Sequence, residues 1–134
     1  MNKLKELLQK DYVILDGGMG TMLQAAGMKM GETPEMLNIT EPELLISIHE
    51  QYLKAGADII YANTFGGNRY KLEECGHLVD ELVTAGIKNA KKACANVNPR
   101  ALVALDVGPI GQLLEPTGTL TFEEAYDIYK EQIL

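Results

Sequence analysis

Three short apolar runs, each ending in a polar residue followed by a glycine-bearing loop, constrain the fold of this 134-residue chain more than any other feature. The runs and the polar residues that end them are Tyr12–Leu15 with Asp16, Ile59–Ala62 with Asn63, and Ala101–Leu105 with Asp106. Continuous aliphatic runs of this length are typical of strands buried on both faces, as in parallel sheets. We therefore predict three strands of one parallel sheet.

A helix is predicted between the first two runs. Thr40 and Glu43 fit a capping box, in which the side chain of each residue accepts a hydrogen bond from the backbone N–H of the other. Pro42 is tolerated in a first helical turn. The helix should end at Gly56, because glycine adopts the left-handed conformation of a helix C-terminus at little cost.

Further helices are predicted later in the chain. Apolar residues recur at three- and four-residue spacing from Val79 to Cys94, which is one helical stripe. Thr121 with Glu124 gives a second capping box and predicts a last helix. We expect a short extra helix over residues 68–75 and a loop over residues 27–39.

The alternation of strands and helices predicts where a ligand binds. Right-handed crossovers make the strands parallel, so their carboxyl ends share one edge of the sheet. Ligands of α/β folds bind at that edge, whether the sheet is open or closed into a barrel. We therefore predict that Asp16, Asn63 and Asp106 converge on one site.

The glycine-rich turn after Asp16 allows two interpretations. A dinucleotide fingerprint is disfavoured, because its last glycine would fall on Leu23. The turn could instead bind a zwitterion, with Asp16 contacting an ammonium group and backbone N–H groups contacting a carboxylate. Alternatively, it is a plain strand-to-helix turn that Asp16 caps. Asn63 is equally open, since it could orient a ligand or satisfy loop amides.

Composition excludes several function classes. Twelve basic residues against 19 acidic ones give a net charge of −7, which argues against binding to nucleic acid. No apolar run approaches the roughly 20 residues that a membrane helix needs, and the amino terminus does not resemble a secretory signal. Two cysteines cannot form a four-thiolate zinc site. We expect a soluble, cytoplasmic protein.

Four blocks resemble, in order and spacing, the homocysteine S-methyltransferase domains, and most of all the amino-terminal module of cobalamin-dependent methionine synthases. The blocks are Leu15–Thr21, Pro34–Thr40, Asn63–Arg69 and Asp106–Gly111. The resemblance implies a TIM (β/α)8 barrel of eight strand–helix units. Residues 1–134 would form the first three of these units, the amino-terminal part of a homocysteine-binding barrel domain.

The resemblance also implies a reaction, the transfer of a methyl group to the sulfur of L-homocysteine to give methionine. It implies that, in the full-length protein, a zinc ion held by three cysteine thiolates binds that sulfur and methylcobalamin from other modules donates the methyl group. Asp16 matches the acid that binds the substrate ammonium, and Gly17 and Gly18 match the turn at its amino-acid end. Asn63 and Asp106 match pocket-facing positions.

The zinc ligands of the family lie in later strands, so neither Cys75 nor Cys94 inherits that role and we expect no metal or cofactor in this chain. A TIM barrel typically needs about 250 residues, so we expect a fragment that self-associates through open sheet edges. Because the resemblance assigns the zinc ligands to later strands, we expect this fragment to be inactive alone. Two alternatives remain open: another α/β enzyme acting on a small anion, and a non-enzymatic, self-assembling scaffold.

Overall fold

The computed structural model describes residues 2–134, which form seven α-helices, two 3-10 helices and two short strands. The amino-terminal half contains α1 (Lys3–Leu7), α2 (Met19–Ala25), a 3-10 helix (Pro34–Met36), α3 (Leu37–Thr40) and α4 (Pro42–Lys54). The rest contains β1 (Ile59–Tyr61), α5 (Arg69–Leu72), a 3-10 helix (Glu73–Leu78), α6 (Val79–Val97), β2 (Leu102–Ala104) and α7 (Phe122–Ile133).

The predicted parallel sheet is present, but it is smaller than expected. β1 and β2 pair in parallel, with Ile60 opposite Val103. The first predicted strand is reduced to residues 12–15, the edge segment, which makes a single parallel bridge from Leu15 to Ile59. It therefore lies on the other side of β1 from β2. The mixed α/β architecture is in accord with part of a larger α/β fold.

The prediction that these strands are buried on both faces is wrong. One face of β1 is buried, because Ile60 and Ala62 pack into a core with Ala90 and Ala93 of α6. Side chains on the opposite face and along the edge segment are exposed: Tyr12, Ile14, Leu15 and Tyr61. Helices cover only one side of this sheet, which leaves the other side without a packing layer among residues 2–134.

Two helices follow the sequence pattern closely. α6 carries the predicted stripe, and its residues Leu82, Ala90 and Cys94 are buried. α7 begins at the predicted capping box, in which the Thr121 hydroxyl accepts from the Glu124 N–H and the Glu124 carboxylate accepts from the Thr121 N–H. Each pattern lies within the helix it predicts, so no distant contact was needed to interpret it.

The capping box predicted at Thr40 is wrong. Thr40 is the last residue of α3, and its hydroxyl donates to the carbonyl of Met36 rather than capping α4. The residue preceding α4 is Glu41, which makes no side-chain capping bond. The helix nevertheless ends as predicted, since Gly56 follows it with a φ of +107°.

The segment expected to be a loop, residues 27–39, is partly helical. It contains the 3-10 helix Pro34–Met36 and most of α3, while the residues before them form turns. The short helix expected over residues 68–75 is present as α5 and the first half of the second 3-10 helix. Within residues 2–134, no helix combines the length and apolarity required to cross a membrane.

Candidate functional site

The carboxyl ends of the edge segment, β1 and β2 open into one cavity of about 370 Å³. Its lining contains all five residues that the sequence predicted for a substrate site: Asp16, Gly17, Gly18, Asn63 and Asp106. Met19, Tyr61, Ala62, Thr64 and Phe65 complete it. The predicted convergence of the three strand ends is therefore present, because the parallel pairing brings these ends to one edge of the sheet.

Asp16 has one carboxylate oxygen engaged and one free of protein partners. Its Oδ2 accepts a hydrogen bond of 3.0 Å from the Tyr61 backbone N–H, whereas its buried Oδ1 accepts none. Burial raises the pKa of Asp16 above its ordinary value, the Tyr61 hydrogen bond opposes this rise, and the negative charge of Asp106 adds to it. A buried acceptor of this kind is stabilised when a cationic donor binds it.

The Asp106 backbone is fixed by a neighbouring strand end. The hydroxyl of the fully buried Thr64 donates to the Asp106 carbonyl at 2.9 Å and accepts from the Asp106 N–H at 3.1 Å. Gln132 of α7 in turn donates to the Thr64 carbonyl at 2.7 Å. Burial raises the pKa of the Asp106 carboxyl. The last helix thus helps to hold the ends of β1 and β2 in register.

The Asn63 side chain forms hydrogen bonds with the 3-10 helix Pro34–Met36 and with α3. Its Nδ2 donates to the Pro34 carbonyl at 2.8 Å and to Asn38 Oδ1 at 2.9 Å. The Asn38 side chain returns a bond of 2.8 Å to the Asn63 carbonyl. Both N–H groups of the Asn63 amide are therefore used within the protein, which favours a structural role of this side chain, although its partners lie in the 3-10 helix and in α3 rather than in a loop. A contact between Asn63 and a ligand stays a prediction.

The turn after Asp16 is not capped by Asp16. The residue preceding α2 is Gly18, and no side chain caps this helix. Asp16 is instead directed to Tyr61, and the Gly18 carbonyl accepts a hydrogen bond of 2.8 Å from the Tyr52 hydroxyl. The predicted capping by Asp16 is wrong, because its carboxylate accepts from the Tyr61 N–H across the sheet, while the choice between a plain turn and a ligand-binding turn stays open.

Sequence reasoning missed residues that shape the site from a distance. Glu35 is buried and its Oε1 accepts a hydrogen bond of 2.7 Å from the Gly66 N–H, which secures the loop after β1. Gln132 and Tyr52 reach the site from helices 68 and 34 residues away along the chain. No local pattern marks such residues, since their partners are defined only by the tertiary fold.

The charge of the cavity indicates the kind of ligand it accepts. Two carboxylates, Asp16 and Asp106, line it, and none of its lining residues in the described chain is Lys, Arg or His. A purely anionic ligand such as phosphate would meet repulsion there. A zwitterion fits better, with its ammonium group at a carboxylate and its own carboxylate at backbone N–H groups.

Known proteins are similar to this chain in sequence and in fold. Methionine synthases of Mycobacterium tuberculosis and Mycobacterium leprae are each 30% identical to this chain over an alignment of 142 positions, which covers 98% of this chain and 12% of theirs. The homocysteine methyltransferase MmuM from Escherichia coli, in its oxidized form, superimposes with a TM-score of 0.70 at 28% identity. In its apo form the TM-score is 0.66 at 25% identity.

The shared region is a part of each relative. The chain spans 12% of the length of those methionine synthases, 42% of MmuM in the oxidized form and 48% in the apo form. The family described as Homocysteine S-methyltransferase matches residues 13–134, which include every residue of the cavity. The chain therefore belongs to the homocysteine S-methyltransferase family.

Proposed function

We propose that this chain is the amino-terminal part of a homocysteine S-methyltransferase of the methionine synthase type, an enzyme that transfers a methyl group to L-homocysteine. The residues described here would bind the amino-acid end of the substrate, with Asp16 contacting its ammonium group. The amides of Gly17 and Gly18 would contact its carboxylate, while Asn63 and Asp106 would shape the pocket. The observation that carries this proposal is the buried Asp16 Oδ1, which has no protein partner in a cavity without cationic side chains.

The residues of this chain do not fit the zinc ion that the family resemblance implies. Cys75 is partly buried near α5, and Cys94 is buried on α6. Residues 2–134 contain no group of three or more His, Cys, Asp or Glu side chains placed to hold a metal ion. We therefore assign zinc and cobalamin to other parts of the parent protein, and expect the isolated 134 residues to bind substrate without transferring a methyl group.

We also propose that the parent domain is a TIM barrel whose first three units lie in this chain. The parallel order of the edge segment, β1 and β2 and the helices on one side of the sheet support this assignment. The open side of the sheet would then face the barrel interior. In the isolated chain this side and the sheet edges remain exposed, and we expect them to drive self-association.

Calorimetric titration with L-homocysteine tests the substrate assignment. Asp16→Asn keeps the size of the side chain but removes its charge, and we expect the dissociation constant to rise about 10- to 100-fold, because a hydrogen bond to a charged group contributes about 1.5–3 kcal/mol. Binding should also weaken as the pH falls through the raised pKa of Asp16.

Asp127→Asn is the matched control, since it removes one negative charge from an exposed position on α7 outside the cavity. Equal losses in both variants would refute a specific role of Asp16. Titration with inorganic phosphate covers the alternative of an enzyme for small anions. Binding of phosphate together with no response to homocysteine would replace the proposed function with that alternative.

A further inference from the structure

Tyr52 contacts the proposed substrate turn from outside the cavity. It lies near the end of α4, where its half-buried ring packs beside Leu23, Leu45 and Ile48. Its hydroxyl donates a hydrogen bond of 2.8 Å to the carbonyl of Gly18, 34 residues earlier in the chain. Tyr52 is therefore anchored at its ring by the core and at its hydroxyl by the turn.

The hydrogen bond defines the orientation of one peptide group. In a trans peptide, the C=O and N–H point in opposite directions. When the Gly18 carbonyl is held toward Tyr52, the N–H of the same peptide, which belongs to Met19, points away from Tyr52. The Gly18 backbone that this bond contacts is extended, with a φ of −64° and a ψ of 128°.

The Tyr52 ring defines the path of the chain at Gly17. A Cβ placed on Gly17 would lie 2.9 Å from Tyr52 Cε1, 3.0 Å from its hydroxyl oxygen and 3.2 Å from Cζ. Real Cβ atoms essentially never lie this close to another heavy atom, so a side chain at Gly17 would require the end of the Tyr52 side chain to shift. Glycine at this position lets the backbone lie against the Tyr52 ring without that shift.

We propose that Tyr52 is a positioning residue of the substrate site, whose hydroxyl and ring together hold the Gly17–Met19 backbone in the orientation that receives the amino-acid end of a ligand. This inference rests on the proposed function for the identity of the ligand. The positioning itself is a property of the ligand-free protein.

Positioning and bulk stability can be separated by two substitutions. Tyr52→Phe retains the ring against Gly17 and removes only the hydrogen bond to Gly18. Tyr52→Leu removes both contacts and part of the packing against α2. Tyr126→Phe is the matched control, because its ring is exposed on α7 and lies outside this cavity.

The first measurement is amide NMR of the uniformly labelled 134-residue chain without ligand. In Tyr52→Phe, we expect the Gly18 and Met19 amide signals to shift more than all others, because the hydrogen bond that is lost is accepted by the carbonyl of the peptide between these two residues. Tyr126→Phe should leave both signals in place. Unchanged Gly18 and Met19 signals in Tyr52→Phe would overturn the inference.

The second measurement tests the ring through Gly17. Gly17→Ala should lower the thermal unfolding midpoint in the wild-type background, since the added methyl group meets the ring. In the Tyr52→Leu background, the same substitution should cost much less, which a double-mutant cycle reports as a coupling between the two positions. Additive effects would contradict a steric role of the ring.

Titration with L-homocysteine then connects positioning to binding. We expect Tyr52→Phe to raise the dissociation constant about fivefold, while Tyr126→Phe leaves it unchanged. Unchanged affinity in Tyr52→Phe would overturn the link to the substrate. If wild-type protein does not bind homocysteine, the proposed function fails, whereas the NMR result still decides whether Tyr52 positions the turn.

Discussion

His49 is a buried histidine without a hydrogen-bond partner. It lies on α4 with no exposed surface, and neither of its ring nitrogens contacts a donor or acceptor in the described chain. Burial lowers the pKa of His49 to about 4, because the charged imidazolium would lose its hydration. This position is therefore structural, and it holds a neutral imidazole at neutral pH.

The His49 pKa predicts an acid-sensitive stability. In the unfolded chain the imidazole takes up a proton below its ordinary pKa of about 6.5, whereas the folded chain resists until about 4. Protonation therefore favours unfolding as the pH falls from 6.5 to 4, by about 3 kcal/mol across that interval. Urea denaturation at a series of pH values measures this slope.

The substitution that isolates this effect is His49→Gln, which cannot take up a proton and should flatten the slope between pH 6.5 and 4. His77→Gln serves as the control, since His77 is exposed in the 3-10 helix before α6. A slope that persists in His49→Gln would show that other groups cause the acid sensitivity.

At the scale of elements, two segments with the same sequence signature behave differently. Thr121 caps α7, whereas Thr40 closes α3 and bonds back to Met36. Thr121→Ala should therefore destabilise the protein by about 1 kcal/mol, as loss of a helix N-cap does. Thr40→Ala should cost clearly less. Thermal unfolding of both variants checks this, and equal losses would contradict the assignment of only one cap.

This pair also shows what sequence can predict here. α6 and the start of α7 were predicted because the stripe and the box act within their own segment. The capping box predicted at Thr40 is absent because residues 37–40 are themselves helical, and the Thr40 hydroxyl donates to the Met36 carbonyl within that helical turn. The edge segment was overestimated because its apolar run matches a buried strand, although no second layer covers it among residues 2–134.

The candidate site also has one part that the sequence predicts and one part that it does not. The meeting of Asp16, Asn63 and Asp106 was predictable, because the topology of a parallel sheet brings strand ends together. The residues that hold these ends, Gln132 and Glu35, were not predictable. Their hydrogen bonds join positions 68 and 31 residues apart, and no spacing in the sequence specifies such partners.

At the scale of the whole molecule, apolar surface is concentrated in two places. One is the edge segment with the open side of the sheet, and the other is the outer side of α7. Exposed side chains on α7 include Phe122, Tyr126 and Ile133, which line a groove of about 430 Å³. Contiguous apolar surface of this kind favours association over a free monomer.

Sedimentation velocity should accordingly detect oligomers of the purified chain. Tyr12→Lys places a charge on the exposed edge segment and should shift the population toward monomer, because lysine on an edge strand disfavours pairing with another strand. Phe122→Lys tests the groove on α7 separately. Met30→Lys adds the same charge at a fully exposed loop residue and should change nothing. A monomer in the wild-type chain would refute self-association.

The contact of Asp58 with the edge segment has a consequence for binding. Asp58 Oδ2 accepts from the Ile14 N–H at 3.0 Å, and Lys10 lies 2.7 Å from its other oxygen. These two contacts, the backbone amide first, lower the pKa of Asp58. The segment they secure leads directly into Asp16, so whenever it detaches from β1 the cavity loses this carboxylate. The observed affinity is then the intrinsic affinity multiplied by the attached fraction. Asp58, which does not line the cavity, would thus influence how often the proposed site is complete.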